Sequence, residues 1–181
     1  MLKIVLVPDK VLSTPTENVD KIDEKIRNLV IEMEKTLIAQ TDPIGVGLAA
    51  NQVGVNLSLF IIKKSSASIT KVFINPKIIE SIKGKYKLKK PHTKKGHSPV
   101  KLEGCLSIPR IWGPVKRDSK IYLEYQDIDG KEIKKWFYGF EATIIQHEVD
   151  HLKGFVFTQR TLEQNGELFK ESHGKLKPIE V

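Results

Sequence analysis

The stretch "QHEVDHLKGFVF" (146–157) sets His147 and His151 four residues apart, with Glu148 beside the first. On an α-helix four residues turn the chain by about 400°, so both imidazoles leave one face a single turn apart and can reach the same metal ion. Two ligands do not complete a catalytic site, which takes three from the protein and keeps a corner for water. One continuation of this pattern puts a third histidine six residues after the second, beyond a glycine. Gly154 is in place, but the required position is Phe157. The third ligand has to be sought elsewhere in the chain.

Cys105 is the single cysteine, which excludes an intramolecular disulfide and leaves a small buried hydrophobe, a nucleophile or a ligand. It stands in "EGCLSIP", about forty residues upstream of the histidines. A thiolate with two imidazoles suits zinc or ferrous iron and leaves one position for water. Such a cation makes bound water a nucleophile near neutral pH. Glu148 is then placed to take the water's proton and pass it to a departing amine. An oxyanion forming on a carbonyl carbon could be met by the side-chain N–H of Gln52 and the backbone N–H of Leu106. Gln52 equally suits a plain hydrogen bond in a turn. Glu103 reads as structural, paired with Arg117 or a lysine, and Asp150 as a supporting or solvated carboxylate.

These side chains need elements to hold them. Ile22, Ile26, Leu29, Val30, Met33 and Leu37 recur at three- and four-residue steps, which predicts an amphipathic helix capped by Asn18 or Asp20 and stopped at Asp42-Pro43. Ile4–Val7, "LSLFIIK" and "TKVFINPKI" read as strands, and "KIYLEYQDIDGKEIKKWFYGF" as a hairpin turning at Asp129-Gly130. From about Glu141 the chain turns helical and carries the histidines, then closes in a polar tail. The expected fold class is α+β, with antiparallel strands around a central helix bearing the HExxH pair and the N-terminal amphipathic helix packed against them. Trp112 and Trp136 read as packing residues, Trp112 also as a groove lining. His92, His97 and His173 read as bystanders.

The 181 residues suit one domain, 1–181, with enough chain for its own core. The net charge of +8 is local: "KGKYKLKKPHTKKGH" (83–97) holds seven lysines and no acid, and without it the 30 basic residues fall to 23 against 22 acidic ones. This segment reads as a lysine-rich insertion loop, with attachment to an anionic surface such as ribosomal RNA as its functional alternative. No apolar run approaches the ~20 residues that span a bilayer, and the start lacks the pattern of a signal peptide. The expectation is a cytoplasmic monomer without a membrane partner.

"GVGLAANQ" (45–52), "EGCLS" (103–107) and "QHEVDHLKG" (146–154) together resemble the three signature motifs of peptide deformylases, in the same order. The resemblance implies a metal-dependent hydrolase that removes the N-formyl group from the formylmethionine of newly synthesised polypeptides and releases formate. It implies Cys105, His147 and His151 as ligands of one divalent ion, Fe2+ foremost, with Zn2+ or Ni2+ as substitutes. Metal-bound water would attack the formyl carbon with Glu148 as general acid/base, and Gln52 and the Leu106 amide would hold the oxyanion. N-formylmethionyl nascent peptides would lie along a strand edge at Val46, Gly47 and Gly104, with the methionine side chain beside Val46 and Ile144. The lysine-rich segment, Thr143 in place of an expected arginine, and the bulk of Trp112 depart from that pattern. Two other functions compete: a zinc endopeptidase with Glu163, Glu167 or Glu171 as third ligand, and an RNA- or ribosome-associated protein with a structural metal.

Overall fold

Strand β6 (Asp118–Gln126) alternates Ile121, Leu123 and Tyr125 inward against Lys120, Tyr122 and Glu124 outward, the two-residue period of a half-buried strand. In a computed structural model that describes residues 1–65, 67–84 and 102–179, it pairs with β7 (Glu132–Tyr138) and with β3 (Lys71–Lys83). With β2 (Leu59–Ile62) and β1 (Gly47–Ala49) they form an antiparallel sheet ordered β1-β2-β3-β6-β7. The lysine-rich segment 83–97 lies outside the described residues beyond Gly84.

All four residues of β2 are buried, and the reason is two covers. Leu59 and Ile61 join Leu48 and Ile74 against helix α1 (Glu24–Ile38), which offers Ile26, Val30, Met33 and Leu37. Phe60 and Ile62 join Phe73 and Leu123 against helix α2 (Gly139–Leu152), through Ile144, Ile145 and Val149. A strand covered on both faces loses alternation and reads as a continuous apolar run.

The second sheet is built from β4 (Leu102–Cys105), β5 (Ile108–Pro114), β8 (Phe169–Ser172) and β9 (Lys175–Pro178), in that order and again antiparallel. Helix α3 (Phe157–Glu163) lies in the chain between α2 and β8. The mixed composition with antiparallel sheets agrees with the sequence reading; four local expectations do not. The cap of α1 is Asp23, whose Oδ1 accepts from Lys25 and Ile26 N–H at 3.0 and 3.2 Å, instead of Asn18 or Asp20. Residues 4–7 form no strand: Val5 and Val7 donate singly to the Gln52 and Ser107 carbonyls. The β6–β7 loop spans Asp127–Lys131, and only Gly130 takes positive φ, because Asp127 closes the turn by accepting from Asp129 and Lys131 N–H. The polar tail forms the β8–β9 hairpin.

Gly154 ends the chain's turn out of α2 at φ +77°, with the backbone carbon and oxygen of Ser13 only 2.8 Å from where a Cβ would stand. Gly154→Ala is expected to cost about 1–3 kcal/mol, from left-handed strain plus displacement of rigid backbone. Denaturant unfolding of the two proteins side by side measures it.

Candidate metal centre

β1 and β4 are each the outer strand of their sheet, so among the described residues each has one edge without a strand partner. Between them lies a cleft of about 230 Å³, floored by the first turns of α2 and lined by Gly47, Gln52, Gly104, Cys105, His147 and Glu148 among others. The Val46 carbonyl accepts from the N–H of Lys63, the residue after β2, at 3.0 Å, and Gly47 stands opposite Ile62. By antiparallel alternation the peptide groups of Gly47 then point away from β2, into the cleft.

Cys105, His147 and His151 each offer a ligand atom, and these atoms all lie within 4.8 Å of one another. Cys105 Sγ is 3.1 Å from His151 Nε2, and the two imidazole rings stand edge to face, 4.9 Å between centroids. Burial by itself would push the thiol up, but His151 and His147 outweigh it and hold Cys105 well below its ordinary value. His147 responds in kind: burial works against its charge, yet Cys105 and Glu103 carry it well above the usual imidazole range. A buried thiolate requires compensating positive charge. The raised His147 favours a proton there that contributes to it, and one divalent cation would provide it while leaving both imidazoles as ligands. Soft sulfur with two nitrogens and a free fourth corner fits such an ion. Among the described residues no other group of three such side chains converges in this way. Glu163 and Glu171, two of the endopeptidase alternatives, are bound to Arg160 and to Trp112 instead.

Charged residues brace the ligands. His147 Nδ1 meets Glu103 Oε2 at 3.0 Å, which leaves Nε2 for a metal and fixes the ring. Arg117 grips Glu103 with two hydrogen bonds of 2.8 and 2.9 Å and reaches Asp150 at 2.5 Å. Arg160 of α3 holds the same Asp150 at 2.8 and 3.1 Å. Burial opposes ionisation of Glu103, but Arg117 and His147 prevail and lower its carboxyl to about 2. Asp150 is thus a buried link with two arginines. Arg117→Met leaves two buried carboxylates short of a partner and is expected to destabilise the fold by about 3–5 kcal/mol. It should also loosen metal retention through His147, which thermal unfolding and chelator competition measure separately.

Glu148 is buried, and its Oε2 has no hydrogen-bond partner among the described residues. Burial raises its carboxyl to about 7, against the pull of His147 and His151. Its carboxylate packs on Gly47 so closely that a Cβ there would collide with it, the carboxyl carbon being 2.9 Å away. Gln52 sits in the 3₁₀ turn Ala50–Val53 that follows β1. Its Oε1 accepts from Ala49 N–H at 2.9 Å, so its amide nitrogen must face the other way, 3.3 Å from Cys105 Sγ and 3.2 Å from Ser107 Oγ. Leu106 follows the cysteine in the turn between β4 and β5 and lines the cleft, as do Val46, Gly104 and Ile144.

Sequence reasoning missed Phe140, Thr143, Leu102 and Ile44 as lining residues, and Ser107 as the partner of Gln52. Helical spacing was the available signal for two of them: Phe140 is four before Ile144, and Thr143 four before His147. Trp112 also lines the cleft, lying over Gly104 with its Nε1 donating to Glu171 at 2.8 Å.

The profile of the polypeptide deformylase family matches residues 1–166. A peptide deformylase of Aquifex aeolicus is 37% identical over 177 residues, covering 96% of this chain and 95% of that protein. One of Dictyoglomus thermophilum is 38% identical over 158 residues, covering 87% and 91%. Among solved structures, a peptide deformylase of Synechococcus elongatus in complex with actinonin superimposes with a TM-score of 0.75 at 33% identity, over 91% of this chain and 82% of that one. That of Thermotoga maritima gives 0.72 at 32% identity, over 88% and 97%.

Proposed function

This chain belongs to the polypeptide deformylase family, and from that premise we propose that it removes the N-formyl group from the formylmethionine at the start of newly made polypeptides. The observation that carries the reading is the meeting of Cys105, His147 and His151 at one point, at a cleft lined also by Glu148 and Gln52, whose amide nitrogen reaches the same sulfur.

A divalent ion held by Cys105, His147 and His151 supplies, when bound, the positive charge that brings water's ionisation toward neutral pH. We assign ferrous iron first, with zinc or nickel able to replace it, because thiolate and imidazole suit all three. The bond formed joins a water oxygen to the formyl carbon, and the bond broken is that carbon's link to the methionine nitrogen. Glu148 receives the water's proton and delivers it to the leaving amine, so the products are formate and a free N-terminus. Gln52 Nε2 and the Leu106 N–H donate to the formyl oxygen as it gains charge. The peptide backbone lies between Val46-Gly47 and Gly104 as an added strand. Its methionine side chain enters the apolar part of the cleft beside Val46 and Ile144. The crowding of Gln52, Glu148 and Cys105 leaves room for a hydrogen on the carbonyl carbon and excludes a methyl.

The working compartment in this reading is the cytosol and the enzyme is a monomer. Ribosome association through 83–97 rests on its seven lysines alone. Among the described residues no helix is long and apolar enough to cross a membrane.

Anaerobically purified protein should release formate from a formyl-methionyl peptide and no acetate from the acetylated analogue. A metal-loaded preparation that releases neither would overturn the assignment.

A further inference from the structure

A second cavity, about 400 Å³, opens beside the catalytic cleft and shares Ile44 and Gly45 with it. Leu37 and Ile38, at the end of α1, form one wall, and Lys63 and Lys64, just after β2, form another. We propose that this cavity receives the fourth or fifth residue of the formylated polypeptide and favours an apolar side chain there. The inference rests on the deformylase reading and extends it to the substrate beyond its first residue.

Geometry sets the path. Glu148 abuts Gly47, so the reacting end of the substrate is fixed at that point of the wall. From Gly47 this wall of the cleft continues through Val46 and Gly45 to Ile44 and Pro43. An extended chain advances about 3.3 Å per residue, so roughly three residues carry it from Gly47 to Ile44. The next residues arrive at the mouth of the second cavity.

Charge decides what the cavity takes. Lys63 Nζ is bound by Glu34 at 3.1 Å, and Lys64 Nζ by Glu141 at 2.8 Å, so neither ammonium is free to select an acidic residue. What the cavity offers is apolar surface left in water: Ile44 is 75% exposed and Ile38 is 49% exposed. A leucine or phenylalanine laid between them buries both.

The test compares two formyl-methionyl peptides of five residues, identical through the third, one ending in Leu-Phe and the other in Gly-Gly, in a formate-release assay. In the parent enzyme the Leu-Phe peptide should show a kcat/KM about five- to tenfold higher, carried by KM, as partial burial of one medium apolar side chain implies. In Ile38→Asp that ratio should collapse to near one. Ile31→Asp, on the same helix two turns away and 48% exposed, should keep it and so controls for damage to α1. A parent enzyme indifferent to the last two residues, or an advantage that survives Ile38→Asp, overturns the proposal while leaving the hydrolase reading intact. Absence of formate from either peptide would overturn both.

Discussion

Glu148→Gln is expected to lower kcat/KM for a formyl-methionyl peptide by at least about 10²–10⁴, the usual worth of a positioned proton carrier, with the bound metal retained in full. The exchange keeps the shape of the side chain, so the close packing on Gly47 survives. It removes the cleft carboxyl whose Oε2 has no partner among the described residues, the group assigned to accept the proton and return it. The loss should fall on kcat, because Glu148 is not assigned a contact to the peptide in the ground state. Stability should hold or rise, since an amide replaces a buried carboxyl whose Oε2 has no partner among the described residues. Metal content and formate release measured on one preparation decide the matter. Turnover within tenfold of the parent would mean that another group moves the proton.

How much of this was legible beforehand varies with the physics of each part. The histidine pair was, because a four-residue step on a helix is a purely local relation. So was the apolar stripe of α1, though its cap was placed at Asn18 or Asp20, five or three residues before Asp23, as several capping side chains in succession can each serve. The C-terminal hairpin was not: β9 is exposed on both faces, so no alternation marks "KLKP" as a strand. The pairing that makes it one comes from β8, and through β8 from Trp112 and Phe169. The Glu103–Arg117 pair could be guessed from opposite charges flanking the cysteine. Its continuation to Asp150 and Arg160 could not, since it joins β4, α2 and α3 by contacts that exist only once both sheets are assembled. The apolar lining at Ile44 was hidden for a related reason: an isoleucine in a turn looks like any other exposed hydrophobe until a neighbouring cavity gives it a use.

Cys105→Ala is expected to strip the metal and abolish turnover together. Losing even an outer-shell partner of a metal ligand costs about 10- to 100-fold in affinity, so deleting one of three direct donors should exceed that. The two imidazoles that remain provide no anionic donor, and the ion would have to bring its own compensation into a buried site. The fold itself should survive, because the thiol is small and the apo thiolate was a charge that had to be balanced. Elemental analysis after dialysis, with circular dichroism on the same sample, separates metal loss from unfolding. Metal still bound at one equivalent would point to a downstream carboxylate as the third ligand and would favour a zinc peptidase. That outcome would also undo the role given to Gln52: its amide nitrogen sits 3.3 Å from this sulfur, and without the ion there it has no oxyanion within reach to stabilise.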